Sequence, residues 1–172
     1  MYYKIQGTIN DKVLSDLEKH YKQGSYLDYL VINSAGGDFE VAYNLVNLIL
    51  DYQPLLPTII EEKAFSAAAY IFLNMKNRYL IKGSSLYIHS IKINIYSPDS
   101  SLVLQKRKKY TKILRDTVCS QFYVTLPVAN KWLREGKAFT DVEIANFLNC
   151  TLIQNSISKH YEQFGSLSER FV

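Results

Sequence analysis

The sequence predicts an α/β domain built on a largely parallel sheet, and three observations predict it. Short runs rich in β-branched and aromatic residues alternate with segments whose apolar residues recur at helical spacing. No repeat or linker divides them. One run, YLVINS at residues 29–34, is apolar almost without a break, the pattern of a strand buried on both faces. The 172 residues, 48% apolar and 21% charged, are enough for one core and few for two, so a single domain over residues 1–172 is expected.

Each element has its own local reason. YYKIQGTI at 2–9 mixes aromatic and β-branched residues ahead of Asn10-Asp11, a strand that ends at a helix cap. Val13, Leu14, Leu17 and Tyr21 then share a helical face over residues 11–22, with Gly24 beyond its end. After the strand at 29–34 come Ala35-Gly36-Gly37-Asp38 and a second helical pattern, from Phe39 to Tyr52, stopped before Pro54. A short strand at 58–60 leads into EEKAFSAAA and a helix over about 66–75. Strands are expected at 78–81 and 85–90, split by Lys82-Gly83, and a loop at the polar SPDSS of 97–101. A long helix over 102–123 follows. Pro127 suits the first turn of a further helix and Gly136 its end. Thr140 and Glu143 have the spacing of a capping box before Ile144 and Leu148. TLIQ at 151–154 reads as the last strand, with a short segment after it.

Composition excludes several function classes. The longest apolar stretch, Ala64 to Leu73, is far short of the roughly 20 residues that cross a bilayer, and MYYKIQGTIND lacks the apolar core of a secretion signal. No membrane association and a cytoplasmic location are expected. Cys119 and Cys150 lack metal-site spacing and read as free thiols, so no metal or organic cofactor is implied. The net charge of +4 owes much to QKRKKYTKILR at 105–115. That run reads as a solvated helix face, and no zinc-finger, RNP-like or helix-turn-helix pattern supports a nucleic-acid partner.

Acyl transfer needs a nucleophile, a base and N–H groups aimed at a developing oxyanion. Ser66 stands at a strand-to-helix junction. It is either an N-cap or a nucleophile, and small alanines beside it would let a carbonyl approach. Gly37 ends a buried strand at a helix start, and its N–H and that of Ala67 are candidate oxyanion donors. His89 ends the strand SLYIH and is a candidate general base. Parallel strands put these three ends on one edge of the sheet, where ligands bind.

In that order the segments LVINSAGGDFEVAYNLVNLI, KAFSAAAYIFLNMKNRYLIKGSSLYIHS and KAFTDVEIANFLNCTLI resemble the INSPGG turn, the GxAxSMG nucleophile turn with its MIHQ strand, and the closing segment of the Clp protease proteolytic subunit, ClpP. The resemblance runs from about Ile5 to Ile153. It implies the ClpP/crotonase-type spiral of β-β-α units, with helix 102–123 as a protruding handle. It implies a serine peptidase in which Ser66 is the nucleophile, His89 the base, and the amides of Gly37 and Ala67 the oxyanion hole. Peptides or unfolded protein segments are the implied substrates and a homo-oligomeric ring the implied assembly. Only Met1 precedes YYKIQG, so docking to a Clp-type ATPase is not implied.

The chain departs from the family at Ala35, Glu62 and Ala68, which stand for a proline and two glycines and fit only where the backbone keeps φ below zero. Where the family places the triad aspartate, this chain has Lys137. Glu135, Asn130 or Asp141 are alternatives from a shifted loop, and a neutral Lys137 acting directly on Ser66 is another. A ClpP-like subunit of weak or lost activity, serving binding or assembly, is the second reading; a crotonase-type CoA-thioester enzyme is the third.

Overall fold

The computed structural model describes residues 1–92 and 100–154. The loop expected at 97–101 lies largely outside the described residues, as does the segment after 154. The described elements run β1 (Tyr2–Ile9), α1 (Asp11–Lys22), β2 (Tyr29–Gly37), α2 (Phe39–Tyr52), β3 (Thr58–Phe65), α3 (Ala67–Asn74), β4 (Arg78–Ile81), β5 (Ser85–Ile88), α4 (Ser100–Phe122), α5 (Leu126–Glu135), β6 (Lys137–Thr140), α6 (Asp141–Leu148) and β7 (Thr151–Ile153).

The strands form one sheet in the order β1-β2-β3-β4-β7, parallel throughout, with β5 attached to β3 and β6 attached to β5. The α/β class with a largely parallel sheet is therefore as the sequence predicts. β3 is a fork: Thr58 to Ile60 pair with Arg78 to Leu80 of β4, whereas Lys63 to Phe65 pair with Ser85 to Tyr87 of β5. The strand expected at 58–60 is thus only the first half of β3, which continues to Phe65. A second correction is β6, which the sequence reading passes over and which runs antiparallel to β5, Lys137 facing Ile88 and Thr140 facing Ser85.

Burial follows the alternation of β2. Leu30 and Ile32 enter the main core with the faces of α1, α2 and α3, while Tyr29 and Val31 join Ile59 on the opposite face of the sheet. α3 is buried all round, Ala67, Ala68 and Ala69 at 1%, 0% and 0% exposure. The alanine run is therefore explained by close packing of a core helix, not by access to Ser66. Helix ends are capped where the sequence offers caps: the Asn10 side chain accepts from the Lys12 amide, and Thr140 and Glu143 form the reciprocal capping box.

Both cysteines are free. Burial pushes the Cys150 thiol up to about 11, with the Arg78 guanidinium pulling the other way. A thiol raised from 9.0 to about 11 holds about a hundredfold less thiolate at pH 8. Iodoacetamide is accordingly expected to modify native Cys150 about a hundredfold more slowly than an unperturbed thiol, the rate climbing with pH toward 11. Peptide mass mapping over time checks this, and rapid native labelling at pH 8 would refute it. No helix among the described residues is long and apolar enough to cross a membrane.

Candidate active site

The register of the fork brings the candidate residues together. Phe65 is level with Tyr87, and the Ser66 amide donates to the Tyr87 carbonyl at 2.8 Å. Ser66 thus leaves β3 beside the end of β5, where His89 follows. On the other side Ser34 of β2 is level with Ala64, which brings Gly36 against the same turn. A Cβ added at Gly36 would lie 2.6 Å from the Phe65 carbonyl oxygen, 2.8 Å from Ser66 Cβ and 3.1 Å from the Ala67 nitrogen. Gly37 is equally confined toward β1, where a Cβ would come within 2.3 Å of the Ile9 carbonyl oxygen.

Ser66 does not act as a cap. Its side chain makes no capping hydrogen bond to α3, and its backbone sits at φ 55° and ψ −120°. This left-handed conformation costs a non-glycine residue on the order of 1–3 kcal/mol and persists only where the surroundings enforce it. It is also the sharp strand-to-helix geometry that lifts a serine hydroxyl clear of its own helix. Ala67 opens α3, and the first amides of a helix have no partner within it. Glu62, Ala68 and Ala35 meet the condition set for them, since none is among the described non-glycine residues with positive φ.

Gly37, Ser66 and His89 line one cavity of about 400 Å³. Its remaining wall comes from the start of α2, from Ile91 and Lys92, and from Val103, Lys106, Tyr110 and Leu114 of α4. Asp38 caps α2 there, its Oδ1 accepting from the amides of Glu40 and Val41 at 2.7 and 3.1 Å. The segment carrying His89 is anchored from behind, the Ser90 amide donating to the Leu133 carbonyl at 2.6 Å.

His89 Nδ1 lies 2.7 Å from the Ser90 carbonyl oxygen. A carbonyl only accepts, so Nδ1 is the donor in this contact, which leaves Nε2 as the nitrogen available to take a proton. The four residues considered as a third partner are occupied elsewhere or outside the cavity. Lys137 Nζ is 3.6 Å from Glu143 Oε1 and 5.1 Å above the Phe139 ring. Glu135 pairs with Arg134 at 3.2 Å, and Asp141 Oδ2 accepts from the Gly83 amide at 2.7 Å. Asn130 is exposed. Among the described residues no carboxylate bonds to His89.

The sequence reading did not reach three groups at this site: Gly36, the Ser90 carbonyl, and the Glu40, Lys106 and Tyr110 wall. Asp38 before an amphipathic helix was a readable cap. The others depend on contacts between distant elements or on backbone direction, for which residue type carries no signal.

No family model matches the chain, and no curated protein matches it. Among solved structures the chain is similar to a point mutant of ClpP1 from Listeria monocytogenes, with a TM-score of 0.75 over 90% of this chain and 91% of that one, at 16% identity. At that identity the likeness establishes a fold: the chain is ClpP-like in architecture.

Proposed function

We propose that this ClpP-like fold carries a serine peptidase, with Ser66 as nucleophile, His89 as general base and the amides of Gly37 and Ala67 as oxyanion donors. The observation that carries the reading is the conformation of Ser66: strained, uncapped and opening into the cavity that His89 also lines. Ser66 Oγ adds to a peptide carbonyl while His89 Nε2 takes its proton. The protonated ring then returns that proton to the departing amine, leaving an acyl-serine. Water, deprotonated by the same nitrogen, releases the acid and restores Ser66. Peptides and unfolded segments are the substrates this reading favours, and a ring of identical subunits is its assembly.

The Ser90 carbonyl supplies half of what a triad acid does. It fixes the tautomer, but as a neutral group it gives the imidazolium less support than a carboxylate. Loss of both functions in a serine protease costs about 10⁴ in rate, so turnover here is expected to be slow. The same observation favours a second reading, a ClpP-like subunit of weak or lost activity whose role is binding or assembly.

A fluorophosphonate probe and a panel of fluorogenic peptides separate the two. Covalent label on Ser66 and turnover, both absent in Ser66→Ala and both retained in Lys137→Ala, are expected. Loss of turnover in Lys137→Ala would restore lysine as a participant. An unlabelled Ser66 with no peptide cleaved would leave the second reading.

A further inference from the structure

The cavity beyond Ser66 and His89 has an apolar floor and a charged side. Phe39, Tyr110 and Leu114 are all buried at that floor. Across it runs an ion pair: Lys106 Nζ of α4 lies 3.0 Å from Glu40 Oε2 in the first turn of α2. Glu40 also receives the Tyr110 hydroxyl, and the hydrogen bond from Lys106 holds its carboxyl below the usual carboxylate range. Tyr110 is held in turn, packed on Phe39 and Tyr43 with Lys109 Nζ 5.3 Å from both tyrosine rings. Among the described residues the other charges on the wall are Asp38, consumed in capping, and Lys92. Counted over those residues, two acids and two lysines leave the wall formally neutral.

We infer, building on the peptidase reading, that the Glu40–Lys106 pair determines specificity by keeping this wall neutral, so that the cavity takes uncharged substrate side chains and turns charged ones away. A charged side chain entering here must lose water without gaining a free counter-ion from Glu40 or Lys106, which are paired with each other, or from Asp38, which caps α2, while Lys92 is exposed to solvent. Removing one member frees the other. Lys106→Met leaves Glu40 to attract a cationic side chain, and Glu40→Gln leaves Lys106 to attract an anionic one, while Gln can still accept from Tyr110. The two variants must therefore shift preference in opposite directions.

The test uses peptides identical except for leucine, lysine or glutamate before the scissile bond. Their kcat/KM values are compared in the parent protein and both variants. The same peptides, fluorescein-labelled, are titrated by anisotropy against each protein carrying Ser66→Ala. The parent is expected to favour leucine. The lysine-to-leucine ratio should rise about fivefold in Lys106→Met, and the glutamate-to-leucine ratio about fivefold in Glu40→Gln, both shrinking at high salt. Cleavage or binding with unmoved ratios, or ratios that move the same way in both variants, would overturn the inference alone. Opposite shifts in binding without cleavage would sustain it and overturn the chemistry of Ser66. Peptides neither bound nor cleaved would overturn both.

Discussion

Gly36→Ala is expected to abolish covalent labelling of Ser66 and to lower stability by about 3 kcal/mol. The new methyl would stand 2.6 Å from the Phe65 carbonyl oxygen and 2.8 Å from Ser66 Cβ, so the turn after β3 must move away from β2. The backbone adds a second cost, because φ at Gly36 is +101°, a region that side-chain-bearing residues rarely adopt. Gly83→Ala is the matched control. Its φ is +86° and its added methyl meets nothing within 4 Å, so it should lose only the conformational part, about 1 kcal/mol, and keep the label. Urea titrations beside fluorophosphonate labelling read both quantities. Full labelling of Gly36→Ala would show that the turn yields without displacing Ser66.

Arg78→Met is expected to cost about 3 kcal/mol, with a fall in Tm of roughly 10 °C. The half-buried guanidinium donates from Nη1 to the Leu73 carbonyl at 3.3 Å and to Gln121 Oε1 at 2.7 Å, and from Nη2 to the Leu148 carbonyl at 3.0 Å. One planar fork thus satisfies acceptors near the ends of α3 and α6 and ties both to α4. Methionine fills similar space and donates to none of the three. Arg78→Lys should recover little, since a single ammonium cannot span the same three acceptors. Thermal melts at one protein concentration decide it. A loss below about 1 kcal/mol in Arg78→Met would mean that water takes over these carbonyls.

Much of the fold was legible because its signals are local. The unbroken apolar run of β2, the helical spacing in α1 and α2, and the Thr140–Glu143 capping box each declare an element within a few residues. β6 declares nothing of the kind: it has four residues, its outward Ala138 and inward Phe139 could equally begin a helix, and its pairing with β5 lies about 50 residues away. The same division holds at the candidate site. Ser66 and His89 follow strands whose presence the sequence declares, although β3 runs on to Phe65 past its expected end, and the register of the fork, which sequence cannot show, brings them to one cavity. The left-handed turn at Ser66 is invisible in residue type, because serine has no special tolerance for it. The partner of His89 is a backbone carbonyl that any residue at position 90 would supply.

The conformation of Ser66 also bears on descent. A serine held at φ 55° makes the chain less stable than a glycine there would, and selection on stability alone favours the glycine. A lineage in which this position had fallen idle would drift toward that substitution, gaining stability and losing nothing. On the peptidase reading, the serine in its uncomfortable turn is what a working hydroxyl would leave behind in a sequence.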